Sequence, residues 1–238
     1  MRLVTRLVAV VLVGLALVYG GILLWTKVIN KPEERLDTDA LSQTLESAPP
    51  PTTEESVEST TVPDAGLTGM WRIGAGSTVG YRVKEVLGGV DTEGVGRTEV
   101  VTGSLTFDGP VLLGANFSVD VASITSDSGR RDAKFAGEIM EAATFPEATF
   151  RLTSPVEIAS IPADGEQADF TVVGELSMHG VTNPVEFPVT AEYANSRIGV
   201  FGNIDIVFAD YGIDNPSNNF VTTGDTGIIE FILVFERI

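Results

Sequence analysis

His179 is the one imidazole of this chain and cysteine is absent, so a thiol nucleophile, a disulfide framework and a Cys/His zinc site have no residues to be built from. A nucleophile elbow is missing as well. His179 lies in Met178-His179-Gly180-Val181-Thr182-Asn183-Pro184, which reads as the turn between two strands and predicts a solvent-facing histidine. Carboxylates are many but scattered, and Asp205 and Asp210 make an acid–base pair only if Asp205 leaves the face assigned below to solvent. Gly74-Ala75-Gly76 and Gly88-Gly89 match no phosphate-cradling pattern and read as backbone turns. No catalytic residue, metal ligand or cofactor is expected, and the chain is not read as an enzyme. Two groups with chemical use remain. Arg130, Arg131 and Lys134 crowd one short segment and could hold an anionic headgroup, and Tyr81 could offer a hydroxyl to a polar group among apolar neighbours.

The elements that must carry these residues are strands. Apolar residues recur at every second position in residues 198–208 and 229–235, the period of a strand buried on one side. Between residues 68 and 238 about eight to ten such runs are separated by Gly, Pro, Asn and Asp, which predicts an all-β domain. The apolar face holds Val79, Tyr81, Val83, Phe117, Val119, Phe150, Phe170, Leu176, Phe187, Ile204, Ile206, Phe208, Phe231 and Leu233. Alternation of this kind suits a two-sheet sandwich and a barrel alike. If the strands close, that face lines either a filled core or an apolar cavity, and the difference decides whether the protein binds something oily. One helix is expected, residues 127–141, capped by Asp127 or Ser128, with its apolar residues inward and its cations outward.

Residues 7–25 carry no charge and would reach about 28 Å as a helix, enough to cross a bilayer. The run ends in Leu-Leu-Trp rather than at small residues, so an uncleaved anchor is expected over residues 1–26, with a cleaved signal as the alternative. Residues 27–67 form an acidic stretch rich in Pro, Thr and Glu, expected to be a disordered linker. Residues 68–238 form the folded domain. Of the net charge of −18, the folded domain carries −14, which argues against nucleic acid or an anionic membrane surface as the domain's partner.

Trp71-Arg72-Ile73 with Ser77-Thr78-Val79, Phe117-Ser118-Val119-Asp120-Val121-Ala122-Ser123-Ile124, Arg131-Asp132, Phe145-Pro146-Glu147-Ala148-Thr149-Phe150 and Gly174-Glu175-Leu176-Ser177-Met178-His179-Gly180-Val181-Thr182-Asn183-Pro184-Val185 resemble the successive motifs of the YceI-like family, in that family's order. The resemblance covers roughly residues 69–238. It implies an extended, lipocalin-like antiparallel barrel of eight strands with a short helical insertion, whose apolar interior holds an isoprenoid or other lipid chain. It also implies a place outside the cytoplasm. Two departures stand out: the retained anchor with its tether, and a first hairpin lengthened by residues 86–97.

Together these readings predict non-catalytic binding, transport or storage of a long-chain isoprenoid or similar lipid, with the apolar residues named above lining the cavity and Arg130, Arg131 and Lys134 at its mouth. The alternatives are an isoprenoid-quinone carrier and a protein-binding adaptor or stress-response domain with a packed core. The expected partners are a hydrophobic chain-like ligand (isoprenoid, quinone or fatty-acid derivative) and the membrane, through the N-terminal helix. Nucleic acid is not expected, and the oligomeric state is open, a homodimer included. The expected location is the cell membrane with the barrel on the extracytoplasmic side, or a secreted or periplasmic domain after cleavage.

Overall fold

A computed structural model describes residues 32–47, 66–159, 162–218 and 220–238, together with Val18, Gly20 and Gly21. The expected span over residues 7–25 lies outside the described residues apart from those three positions. No helix of the described residues is long and apolar enough to cross a membrane.

In chain order the elements are helix α1 (Thr38–Ser47), strands β1 (Gly69–Ile73), β2 (Thr78–Leu87), β3 (Val90–Thr98), β4 (Val101–Asp108), β5 (Val111–Asp120) and β6 (Thr125–Ser126), and the short helix α2 (Gly129–Lys134). They continue as β7 (Glu147–Leu152), β8 (Val156–Glu157), β9 (Gln167–Met178), β10 (Val181–Ala194), β11 (Arg197–Val207) and β12 (Val221–Arg237). All pairings are antiparallel, and β1 with β2, and β3 with β4, act as two long wall strands each broken once. The result is a closed eight-stranded barrel. Its last strand seals it: β12 pairs along one side with β11 and along the other with β2 and then β1.

Turn chemistry explains the tight hairpins. Gly88 and Gly89, His179 and Gly180, and Asn195 and Ser196 all take positive φ, the paired left-handed conformation that two-residue hairpins need to follow strand twist. The wall is not sheet all the way round. Strands β5 and β7 stop at Asp120 and Glu147, while β3 runs on to its hairpin with β2, so the upper wall between β3 and β9 is filled by the insertion over residues 121–146.

One expectation is corrected on the outer surface. Residues 32–47, assigned from composition to a disordered linker, form an ordered strap that crosses β3, β2 and β12 and ends in α1 over β11 and β10. Asp37 caps the helix by accepting from the Ala40 amide at 2.8 Å. Leu41 and Leu45, one helical turn apart, are fully buried against Ala194, Ile232 and Val234. A methyl at Gly199 would stand 2.7 Å from Leu41 and 2.8 Å from Leu45, so the bare backbone there is what lets the helix lie flat. Beneath the strap, Glu230 receives Arg82 at 3.0 Å and Arg97 at 2.6 Å. Glu93 receives Arg82 at 2.8 Å and Arg35, and the backbone carbonyls of Glu33 and Glu34 accept from Arg82 at 3.1 Å. Burial works against the Arg82 charge, but the hydrogen bonds it donates to Glu230 and Glu93 outweigh it and raise its pKa. Composition missed the strap because its stabilisation comes from a surface far away in sequence.

Candidate functional site

Side chains that point inward divide the barrel into two halves. In the lower half Trp71, Leu105, Phe107, Val172, Val189, Leu233 and Phe235 are buried together, with the Trp71 indole edge-on to Tyr193 and its Nε1 donating to the Leu67 carbonyl at 3.0 Å. In the upper half lies an apolar cavity of about 410 Å3, within the range of about 300–1,000 Å3 typical of small-molecule sites.

Of the residues expected to line a cavity, Val79, Tyr81, Val83, Phe117, Val119, Leu176, Ile206 and Phe208 face this one. The other six do not line it. Phe150, Phe187 and Phe231 join Phe117 in a closed circuit of rings with centroids 5.3 to 6.1 Å apart, and Ile204, Leu233 and Phe170 pack into the same core. The reason is geometric: alternation tells which face of a strand points inward, but not at what height along the barrel the interior is filled.

Glycines on neighbouring strands seat the aromatic side chains. A methyl on Gly174 would meet the Phe150 ring at 2.4 Å, one on Gly202 the Phe231 ring at 2.5 Å, and one on Gly96 the Tyr81 ring at 2.5 Å. These rings therefore lie against bare backbone and could not be accommodated over any larger residue. Tyr81 is also stacked from above by Phe135, at 4.5 Å and 20°.

Phe135 belongs to the insertion that roofs the cavity. The helix expected over residues 127–141 is shorter: α2 is capped by Ser128, whose hydroxyl accepts from the Arg131 amide, and runs into one π-helical turn over Phe135–Ile139. The wide turn places Phe135 and Met140 inward and leaves Gly137 and Glu138 exposed. The lid is tied down at three points. Asp132 accepts from the Ser126 amide at 2.8 Å, Arg131 lies 3.6 Å from Glu85 on β2, and the Lys134 ammonium donates across the mouth to the Pro216 carbonyl at 2.7 Å.

Arg130, Arg131 and Lys134 all line the cavity, at its mouth. Arg131 is paired with Asp127 and Glu85 and Lys134 is held by Pro216, whereas Arg130 is exposed. Burial pushes the Glu85 carboxyl up despite Arg131, with Asp127 adding to the rise. Burial likewise raises the Tyr81 hydroxyl well above the ordinary tyrosine value, so it stays a neutral donor. Sequence reasoning did not assign Glu85, Phe135, Met140, Ile213 or Val221 to the cavity: Phe135, Met140 and Ile213 sit in segments without a two-residue period, Glu85 keeps the period of Val79, Tyr81 and Val83 but is charged, and Val221 opens β12 at the rim.

His179 also differs from expectation. It is in the β9–β10 turn, but its side chain is only 12% exposed, edge-on to Phe145 at 5.1 Å, with Nδ1 3.0 Å from the Tyr211 carbonyl. It ties the hairpin to the turn after β11. Among the described residues no cluster of three or more His, Asp or Glu could hold a metal ion.

The family model of the YceI-like domain matches residues 71–235. Among curated proteins the chain is 29% identical over 129 residues to a UPF0312 protein of Vibrio parahaemolyticus, a match covering 50% of this chain and 64% of the relative. It is 30% identical over 123 residues to one of Pseudomonas putida, covering 48% and 60%; the chain thus spans less than two thirds of the length of these relatives. Among solved structures it is similar to a polyisoprenoid binding domain from Saccharophagus degradans implicated in plant cell wall breakdown, with a TM-score of 0.59, 21% identity, and coverage of 72% of this chain and 99% of that one. It is also similar to Burkholderia cenocepacia BcnA, with a TM-score of 0.52, 24% identity, and coverage of 67% and 96%. These two likenesses concern the fold.

Proposed function

The chain belongs to the YceI-like domain family, and from that premise we propose that its barrel is a non-catalytic carrier that encloses the apolar chain of an isoprenoid or similar lipid. The observation that carries this is the cavity itself: about 410 Å3 bounded by Val79, Val83, Val119, Leu176, Ile206 and Phe208, roofed by Phe135 and Met140. Removing an apolar chain from water into such a space contributes roughly 25 cal/mol per Å2 buried. The polyisoprenoid binding ascribed to the Saccharophagus degradans domain supports the same ligand class. Within the cavity Tyr81 and Glu85 offer hydrogen bonds, and Arg130 offers charge to an anionic headgroup at the rim. The protonated Tyr81 hydroxyl also favours a second ligand of the same shape, an isoprenoid quinone, whose ring carbonyl it could reach as a donor.

We further propose that residues 7–25 anchor the protein in the cell membrane, with the barrel on the extracytoplasmic side where it exchanges ligand with the bilayer. The support is the length and apolarity of that run. Labelling of the barrel in intact cells by a membrane-impermeant reagent tests the orientation.

Mass spectrometry of an organic extract, taken from protein purified in a single detergent of known mass, tests the carrier reading. An apolar chain-like molecule in near-stoichiometric amount is expected. A protein that retains none and takes up no added lipid would overturn it.

A further inference from the structure

We infer that the ring of Phe117, Phe150, Phe187 and Phe231 is a stop that sets the length of chain the barrel encloses, at about four isoprene units. The inference rests on the carrier reading above and adds to it a limit on ligand size.

The cavity is closed below, not merely narrowed. Phe117 contributes both to the cavity and to the ring circuit, which places the circuit directly at its floor. The strand register says the same. Phe150 lies opposite Leu176, and Phe231 lies opposite Val79, and Leu176 and Val79 are the lowest cavity residues on their strands. Phe150, Phe231 and Phe187 are 3%, 2% and 5% exposed, and beneath them the packed lower core begins.

The floor is built into the backbone. Phe150 and Phe231 rest where Gly174 and Gly202 leave out a Cβ, so each ring reaches into the lumen from a fixed seat. A ring free to swing aside would need no such notch, and four mutually packed rings must move together to open a way through.

The depth follows from the strands. On β2 the cavity extends from Val79 to Leu87, an interval of about 26 Å along a strand at ~3.3 Å per residue, or about 20 Å along the axis for strands tilted by roughly 40°. An isoprene repeat has four chain bonds of about 1.5 Å each and extends for about 5 Å, so the lumen takes about four. A longer chain leaves its remainder outside the mouth, in water or in the bilayer, where the barrel contributes nothing to its binding.

The test is a binding series of linear prenols of 10, 15, 20, 25 and 45 carbons against the purified full-length protein. Each repeat that becomes enclosed should tighten binding on the order of 100-fold or somewhat less. The gain should continue to about 20 carbons and then fall below threefold per repeat. Phe187→Leu, which opens the circuit while keeping an apolar core, should move the plateau to a longer chain. Val119→Phe, which fills the cavity above the floor, should move it to a shorter one, so the prediction does not depend on one variant folding. Affinity that keeps climbing from 20 to 45 carbons at the earlier rate, or a plateau that neither variant moves, would overturn the stop while leaving the carrier reading intact. Absence of binding at every length would overturn both.

Discussion

Glu85 bears a charge where its surroundings disfavour one. Its carboxyl pKa is raised chiefly by burial at the cavity mouth, so at neutral pH the ionised form costs the folded state stability, and that cost vanishes as pH falls through the raised value. Glu85→Gln should therefore raise the melting temperature at pH 7 and lose its advantage near pH 4, even though it gives up the contact with Arg131; thermal scans at the two pH values check this. Phe208 is the complementary residue, apolar and lining the cavity, yet only half-buried, so a polar substitution there leaves the core intact. Phe208→Asp should fold and lose lipid uptake, because a carboxylate in the apolar lumen must be desolvated by the ligand. Retained uptake in a folded variant would count against the cavity as the binding site. At this scale the sequence was legible in direction and not in height: Val79, Tyr81 and Phe208 face the lumen as their period requires, while Phe187 and Phe231 share that period and instead meet across the barrel, a matter of side-chain volume on opposite walls that no local pattern records.

Helix α1 and the strap before it show the same divide for whole elements. Strands and hairpins were legible because alternation and turn residues are local, whereas the strap was hidden in a polar segment. Its trace was present in two places: Leu41 and Leu45 one helical turn apart, and Ile232 and Val234 on the outward face of β12, where a solvated wall would be polar. Leu45→Ala should cost about 2–4 kcal/mol and should release residues 38–47 to hydrogen exchange before the strands. The ion pairs below the strap give it a pH limit. Partial burial of the Glu93 carboxyl alone would raise its pKa, but Arg82 and Arg35 overcome that and hold it below the usual range. A lowered folded value contributes stability above the ordinary carboxylate pKa and loses it as pH falls through the folded one. Below about pH 4 the strap should loosen first, visible as selective proteolysis of residues 32–47 with the barrel intact. Glu230→Gln should also destabilise the fold, because Arg82 and Arg97 both lose a charged partner there while Glu93 stays as the carboxylate on Arg82.

The barrel as a whole couples a packed lower half to an open upper one. Ligand that enters only the folded state should raise the melting temperature, by about 2.7 kcal/mol at a hundredfold excess over the dissociation constant, or roughly 5–10 °C for a domain of this size. Calorimetry with a twenty-carbon prenol measures it. The eight-stranded closure was legible through the order of motifs along the chain; periodicity alone left a sandwich equally open, because both arrangements bury one face of every strand.

Strand β12 touches three other strands and lies under the strap, so residue 230 meets residues 82 and 97, and Ile232 meets Leu41. These partners leave the ribosome far apart in time. The early leucines have no seat, and the early arginines no counter-charge, until translation has passed residue 234. The barrel therefore closes only after this region has been synthesised, and until then the nascent chain carries its seam unsealed.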